Sequence, residues 1–244
     1  MSILVDADFI LYKNAASCET EIDWGDNLIV VQSRFSDLTY RLERELGVIA
    51  NRLSVERSEL ILFFSDTANF RKDLYPDYKG HRQRKKPNGY RRGLEWLKDR
   101  YELVIMPSLE ADDALGIWST GEPGKHTIVS PDKDMRQIPG ALYNLTDDPF
   151  EVTPDEAFRW HYIQSLAGDT TDGYAGCPTY GVVKAQKLFD KEGYTWPVLV
   201  QAYIKQGLTE SDALVNARLA RILTTTDYDH DSQQPILWTP TAAS

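Results

Sequence analysis

Nine carboxylates recur in short clusters along this chain of 244 residues: Asp6, Asp66, Glu110-Ala-Asp112-Asp113, Asp132-Lys133-Asp134 and Asp169-Thr-Thr-Asp172. Each cluster lies where a short apolar run gives way to a loop, so the chain can gather them at one edge of a sheet. That many like charges cannot share a cleft unless cations neutralise them, because unpaired repulsion raises pKa values and strains the fold. Hard divalent ions that prefer oxygen, Mg²⁺ or Mn²⁺, are the natural partners. A pair of such ions can lower the pKa of bound water and stabilise a leaving oxygen, which is what phosphodiester hydrolysis requires. The clusters therefore predict a metal-dependent nuclease site.

Each motif also has a plainer reading. Acidic residues in a first helical turn suit the helix dipole, which alone would explain Glu110-Ala-Asp112-Asp113. Ser130-Pro-Asp132-Lys133-Asp134 can be a turn with an Asp cap, and so can the Asp169/Asp172 pair. Val5-Asp6-Ala7-Asp8 matches the Asp-x-Asp that opens haloacid-dehalogenase-type phosphotransferases, but Ile10 stands where those enzymes carry a hydroxyl residue. Convergence of five modest signals on one inferred edge favours the metal reading.

The formal net charge of −10 argues at first against a nucleic-acid partner. Without the nine clustered carboxylates it is about −1, and two divalent ions would return about +4 to the site. Basic charge is concentrated in Arg71, Lys72, Lys79, Arg82, Arg84, Lys85, Lys86, Arg91 and Arg92, opposed within that span only by Asp73 and Asp77. Such runs are often just solvated loops. This one directly follows the Asp66 cluster and carries Tyr75, Tyr78 and Tyr90, so a phosphate-tracking segment with aromatic stacking is expected. Two cysteines, Cys18 and Cys177, and scattered histidines give no disulfide framework and no zinc spacing. No apolar run approaches the about 18 residues of a membrane span, so a soluble cytosolic protein is expected.

The elements that must position these groups read as alternating strands and helices. Strands are expected at Ile3–Val5, Leu60–Phe64, Glu102–Ile105, Thr127–Val129 and Ala141–Asn144. A long helix is expected through Leu28, Val31, Phe35, Leu38, Leu42 and Leu46, with shorter ones at Arg92–Arg100 and Ala111–Ser119. The pattern predicts an α/β fold with a mainly parallel central sheet flanked by helices, whose ligands bind beyond the carboxyl ends of the strands. After about residue 150 the chain changes character. Thr153-Pro-Asp-Glu156 is a capping box that should start a helix running to about Ala167, followed by helices at Gly181–Asp190, Pro197–Lys205 and Glu210–Leu223 and a tail packed over the body. The expected division is 1–150, an α/β core, and 151–244, a helical region. The glycine-punctuated turn Gly173–Lys184, with Gly176 and Gly181, would allow a DNA phosphate to approach the next helix, where Lys184 and Lys187 add charge.

Taken in order, Val5-Asp6, Phe64-Ser-Asp66…Phe70-Arg71-Lys72, Tyr75-Pro-Asp-Tyr78-Lys79-Gly80-His81-Arg82, Glu110-Ala-Asp112-Asp113, Ser130-Pro-Asp132-Lys133-Asp134 and Gly168-Asp169-Thr-Thr-Asp172-Gly173 resemble the 5′-3′ exonuclease and flap-endonuclease superfamily over nearly the whole chain. Lys85-Lys86-Pro-Asn-Gly-Tyr90 and the block from Trp160-His161 to Gly173 resemble its short phage-encoded exonucleases. The resemblance implies a PIN-like or resolvase-like core with a helical arch or clamp at about 77–94 and a helix–three-turn–helix that grips duplex DNA. It implies that Asp6, Asp66, Glu110 and Asp112 favour one Mg²⁺ or Mn²⁺ ion, and Asp132, Asp134, Asp169 and Asp172 a second. Asp113 would act through water or from behind the residues that touch the ions. Lys79 and Arg82 would contact the scissile phosphate. K⁺ would sit at the helix–three-turn–helix, although Cys177-Pro-Thr179 replaces a more glycine-rich turn there. The implied activity is cleavage near 5′ ends, at flaps or duplex–single-strand junctions, or in RNA–DNA hybrids, by a monomer serving phage DNA replication in the host cytoplasm. The contrasting expectation is a structure-specific DNA-binding protein that has lost catalysis.

Overall fold

The computed structural model describes residues 2–81 and 85–240. Its centre is β1 (Ser2–Asp6), a run of apolar residues buried on both faces as a central parallel strand must be. Alternation divides that burial. Ile3 and Val5 face one apolar cluster, and Leu4 faces another on the opposite side.

Helix α1 (Ala7–Ser17) follows β1 directly, then a hairpin of β2 (Thr20–Asp23) and β3 (Ile29–Gln32), then α2 (Phe35–Leu53). The long helix expected from Leu28 is thus divided: its first part is a β-hairpin and the helix starts at Phe35. Asp26 and Asn27 adopt positive φ values of 47° and 64°, closing a tight turn, and the β-branched run Ile29-Val30-Val31 favours extended chain. From Phe35 on, Leu38, Leu42, Leu46 and Ile49 bury one helical stripe as expected. Helix α1 was not foreseen, because its apolar residues show no clear period.

The chain continues through β4 (Leu60–Phe63), the short α3 (Arg71–Leu74), α4 (Tyr90–Lys98), β5 (Glu102–Val104), α5 (Ala111–Gly121), β6 (His126–Val129), β7 (Gly140–Tyr143) and β8 (Phe150–Val152). The sheet order is β5-β4-β1-β6-β7-β8, parallel except for the final β7–β8 pair. Helices α1, α2 and α4 pack on one face and α5 on the other. Because β1 lies between β4 and β6, the carboxyl ends of these three strands open on one crevice. The span 77–94, where a helical arch or clamp was expected, forms turns through His81, and irregular chain at 85–87 leads into a turn at Asn88-Gly89. Among the described residues of that span no helix precedes Tyr90, consistent with Pro87 and with Gly89 at φ 82°.

Beyond β8 come α6 (Pro154–Ala167), α7 (Val182–Glu192), α8 (Trp196–Lys205) and α9 (Glu210–Ala220). The Thr153/Glu156 capping box starts α6 with Pro154 in the first turn, as the sequence indicates. Tyr162, Phe189, Leu199, Tyr203 and Ala213 form the apolar centre of these helices. The tail carries the two-residue strands β9 (Tyr228–Asp229) and β10 (Gln234–Pro235). It lies on the body: Tyr228 and Leu237 pack with Leu109 and Ile117, and the Trp238 ring stands 5.1 Å from His161.

Candidate functional site

Asp6 ends β1 and caps α1, accepting from Phe9 N at 3.3 Å and from Ser130 Oγ at 2.8 Å. The loop after β4 carries Asp66, which accepts from the backbone N–H of Ser108 at 2.8 Å and of Thr67 at 2.6 Å; these bonds hold its carboxyl below the usual range. Glu110 caps α5, so Asp112 follows in the first turn. Asp132 caps a 3₁₀ turn, Lys133–Gln137, and accepts from Asp134 N at 2.8 Å.

Asp169 and Asp172 sit in a turn fixed by close backbone contact. A Cβ on Gly168 would come within 2.2 Å of Gly176 N, and one on Gly176 within 2.4 Å of Gly168 N. The tightness required of Gly176 therefore comes from the chain itself. Its N–H also donates to Asn216 Oδ1 at 3.1 Å, so it is not available to a phosphate as the sequence reading expected.

Eight of the nine carboxylates, Asp6, Asp66, Glu110, Asp112, Asp132, Asp134, Asp169 and Asp172, line one cavity of ≈ 900 Å³, together with Lys79 and Lys133. The protein's own cations do not balance this charge. Burial, with Asp8 and Asp132 nearby, pushes Asp6 up to about 6. Burial and Asp132 push Asp134 up to about 7, and burial with Asp6 and Asp132 raises Asp112 well above its usual range. Glu110 is the exception: burial pushes it up, but Lys79 and Arg71 outweigh that and hold it down to about 2. Asp169 is also held low despite burial, by Lys133 at 3.2 Å and by Thr171. The donors are all carboxylate oxygens, the set a hard divalent cation takes. Among the described residues no three such side chains stand in a ready-made metal-holding group. Several oxygens are turned instead toward Lys79, Lys133, Ser130, Tyr78 and Gln164.

Asp113 stands apart. It is fully buried, outside the cavity, and chelated by Arg71 through Nη1–Oδ2 at 2.6 Å and Nη2–Oδ1 at 2.8 Å. The Asp113 carboxylate also accepts from Leu223 N at 3.1 Å. These bonds place it behind the cavity and not in it, holding the Arg71 that also reaches Glu110 at 3.3 Å. Arg71 is equally not a DNA-tracking surface cation: it is 1 % exposed and also donates to the carbonyls of Leu219 and Arg221. Tyr78 is buried too, its hydroxyl 2.9 Å from Glu110 and 3.0 Å from Asp172 with one proton to share between them, so it braces the acidic site and cannot stack on a base. Tyr90 likewise turns inward and donates to Asp8 at 2.6 Å.

Lys79 lies at the cavity edge with φ 53°, its ammonium bonded to Glu110 and 3.5 Å from Asp172, and its N–H donating to Asp172 O at 2.7 Å. Burial disfavours its charge, but Glu110 and Asp172 raise its pKa and keep it cationic. Lys72, Lys85 and Lys86 are exposed, and Lys86 lies 4.2 Å over the Tyr90 ring at the cavity wall. Arg82 and Arg84 lie outside the described residues. Gly181 caps α7 with open space where a Cβ would point, and Lys184 and Lys187 are exposed on the helix behind it; Lys184 Nζ donates to Thr179 O at 3.1 Å. None of these three lines the acidic cavity.

The sequence reading missed two groups around the site. Asp8 lines the cavity and ties Ser65 N (2.8 Å) to the Tyr90 hydroxyl; its place two residues after Asp6 was the available signal. Gln164, bonded to Asp134, gave no signal inside a helix.

A family model for the 5′-3′ exonuclease N-terminal resolvase-like domain matches residues 3–167. The exodeoxyribonuclease of Enterobacteria phage T3 is 27% identical over 98% of this chain and 92% of its own length. The exonuclease of Escherichia phage T7 is 26% identical over 98% and 93%. A solved bacteriophage T5 flap endonuclease, in a pseudo-enzyme–product complex with DNA and metal ions, superposes with a TM-score of 0.67 at 15% identity, covering 92% of this chain and 89% of that one. Among the described residues no helix is long and apolar enough to cross a membrane.

Proposed function

We propose, on the premise that this chain belongs to the 5′-3′ exonuclease family, that it hydrolyses DNA phosphodiesters near 5′ ends, leaving 5′-phosphate and 3′-hydroxyl products. One observation carries the reading: eight carboxylates from five stretches of sequence line one cavity at the carboxyl ends of β1, β4 and β6, and their charge exceeds what the surrounding lysines offset.

Asp6, Asp66, Glu110 and Asp112 would hold one Mg²⁺ or Mn²⁺ ion, and Asp132, Asp134, Asp169 and Asp172 a second. When bound, these ions supply Lewis acidity and an activated water. The carboxylates position charge and cannot themselves act as electrophiles. Lys79, cationic and at the cavity edge, would release Glu110 and Asp172 to the metals and donate to the transferring phosphate, and Arg82 would add its charge to the same task. Lys72, Arg84, Lys85 and Lys86 would follow the backbone of the strand entering the cavity, reading charge and not bases.

In this reading residues 1–150, joined at the cavity by Asp169 and Asp172, perform the cleavage, and the rest of 151–244 holds the duplex. The turn and α7 N-terminus at Gly173–Lys187 would serve as a helix–three-turn–helix, with Gly181, Lys184 and Lys187 on phosphates and K⁺ as its resident ion. Substrates would include 5′ ends, flaps, duplex–single-strand junctions and RNA–DNA hybrids, handled by a monomer in the cytoplasm of a phage-infected cell. A duplex labelled at its 5′ end, incubated with Mg²⁺ or with EDTA, tests the proposal. Label should leave as short 5′-phosphorylated products with Mg²⁺ alone. Equal release in EDTA, or attack confined to 3′ ends, would refute it.

A further inference from the structure

Two buried glutamines join the helical region to the acidic cavity. Gln137, at the end of the 3₁₀ turn after Asp132, and Gln164, in the last turns of α6, are 1 % and 3 % exposed. Gln137 Oε1 accepts from Ile222 N at 3.2 Å, and its Nε2 donates to Ala220 O at 2.6 Å. One segment at the end of α9 thus presents a donor and an acceptor to one amide, and only one orientation of Gln137 satisfies both. The second Nε2 proton then points to Gln164 Oε1, at 2.6 Å. With its oxygen taken, Gln164 can offer Asp134 Oδ1 only its NH₂ group, and that bond is formed.

We infer that Gln164 is a positioning residue for Asp134, and that Gln137, without lining the cavity, dictates which end of the Gln164 amide Asp134 meets. The inference rests on the reading of Asp134 as a metal ligand. A neutral amide suits this task. Lys79 and Lys133 offset the charge of the carboxylates they hold, whereas an amide fixes one oxygen of Asp134 and leaves its negative charge for a cation. The route also ties the carboxylate to the C-terminal end of α9 through two consecutive side-chain amides, so packing of the helical region sets the aim of a side chain in the α/β core.

Calorimetric titration of Mn²⁺ into the full chain without DNA tests this on binding alone. Gln164→Met keeps the volume and removes the donor; it should weaken Mn²⁺ binding by about 10-fold. Gln137→Glu lacks the proton that engages Gln164 Oε1, so the Gln164 amide should turn its oxygen toward Asp134 and weaken Mn²⁺ comparably. If Gln137→Glu does not fold, Gln164→Met alone decides. A merely structural role would lower the melting temperature in EDTA and leave Mn²⁺ affinity unchanged. Asp134→Ala is the reference. Glutamine variants within about twofold of the natural protein, beside an Asp134→Ala that has lost affinity, would overturn the inference and leave the metal reading standing. An Asp134→Ala that binds Mn²⁺ normally would overturn both.

Discussion

Arg71 and Asp113 form a two-pronged ion pair, 2.6 and 2.8 Å between their atoms, sealed from solvent at the junction of α3, α5 and the chain leaving α9. The pair gives these residues a structural task. Asp113→Ala would strand a buried guanidinium and should cost about 3–5 kcal/mol. Replacing both partners together, Arg71→Met with Asp113→Leu, should cost less than either single loss, because neither member of the pair is stranded and Lys79 still faces Glu110. Denaturant unfolding of the three variants checks this, and an Asp113→Ala protein within about 1 kcal/mol of the natural one would contradict it.

Lys79 faces Glu110 and Asp172 from the basic segment that follows the Asp66 loop. Lys79→Ala should slow single-turnover cleavage by about 10²-fold while changing DNA affinity far less, since other cations share the binding. A single-turnover rate equal to that of the natural protein would remove Lys79 from the chemistry.

Asp66 and Asp132 approach the cavity from different strand ends and are held by backbone N–H groups, with no lysine bonded to either among the described residues. Asp66→Ala or Asp132→Ala should therefore eliminate cleavage yet keep DNA binding, because each loss also removes repulsion from phosphate. Gel-shift and cleavage assays on the same preparation make the comparison. Near-normal turnover in either variant would exclude that residue from the centre.

Local signals and long-range contacts account for what the chain made legible. Apolar runs ending in acids located β1, β4 and β6 and the rim where Asp6, Asp66 and Asp132 stand, because a buried strand and the polar loop after it are adjacent in sequence. The Thr153/Glu156 box located α6 for the same reason. Arg71, Tyr78 and Tyr90 were misjudged because a basic run looks solvated until its partners are known, and Arg71 finds Asp113 42 residues away. The hairpin before α2 was hidden by apolar residues that happened to fit helical spacing; the turn at Asp26-Asn27 decided the outcome. Gln137 meets Ala220 and Ile222, and Gln164 meets Gln137 and Asp134, through tertiary contacts that no local pattern signals.

His161 is buried with Nε2 2.9 Å from Ala217 O, and burial, aided by nearby Arg221, pushes its pKa down to about 3. The unfolded chain takes up a proton near the ordinary value of 6.5 that the folded protein refuses. Stability from this group is therefore complete above that value and is lost as pH falls toward 3, on the order of a few kcal/mol. His161→Gln, which retains a donor for Ala217 O, should flatten the acid limb of the stability profile. An unchanged limb would show that His161 does not govern it.

The convergence of distant carboxylates on a pair of cations is tested most directly by diffraction from crystals grown with Mn²⁺, collected for anomalous signal. Two anomalous peaks are predicted inside the acidic cavity, one among Asp6, Asp66, Glu110 and Asp112 and one among Asp132, Asp134, Asp169 and Asp172. A cavity without manganese at millimolar concentration, in crystals that hold the chain in this fold, would contradict the account.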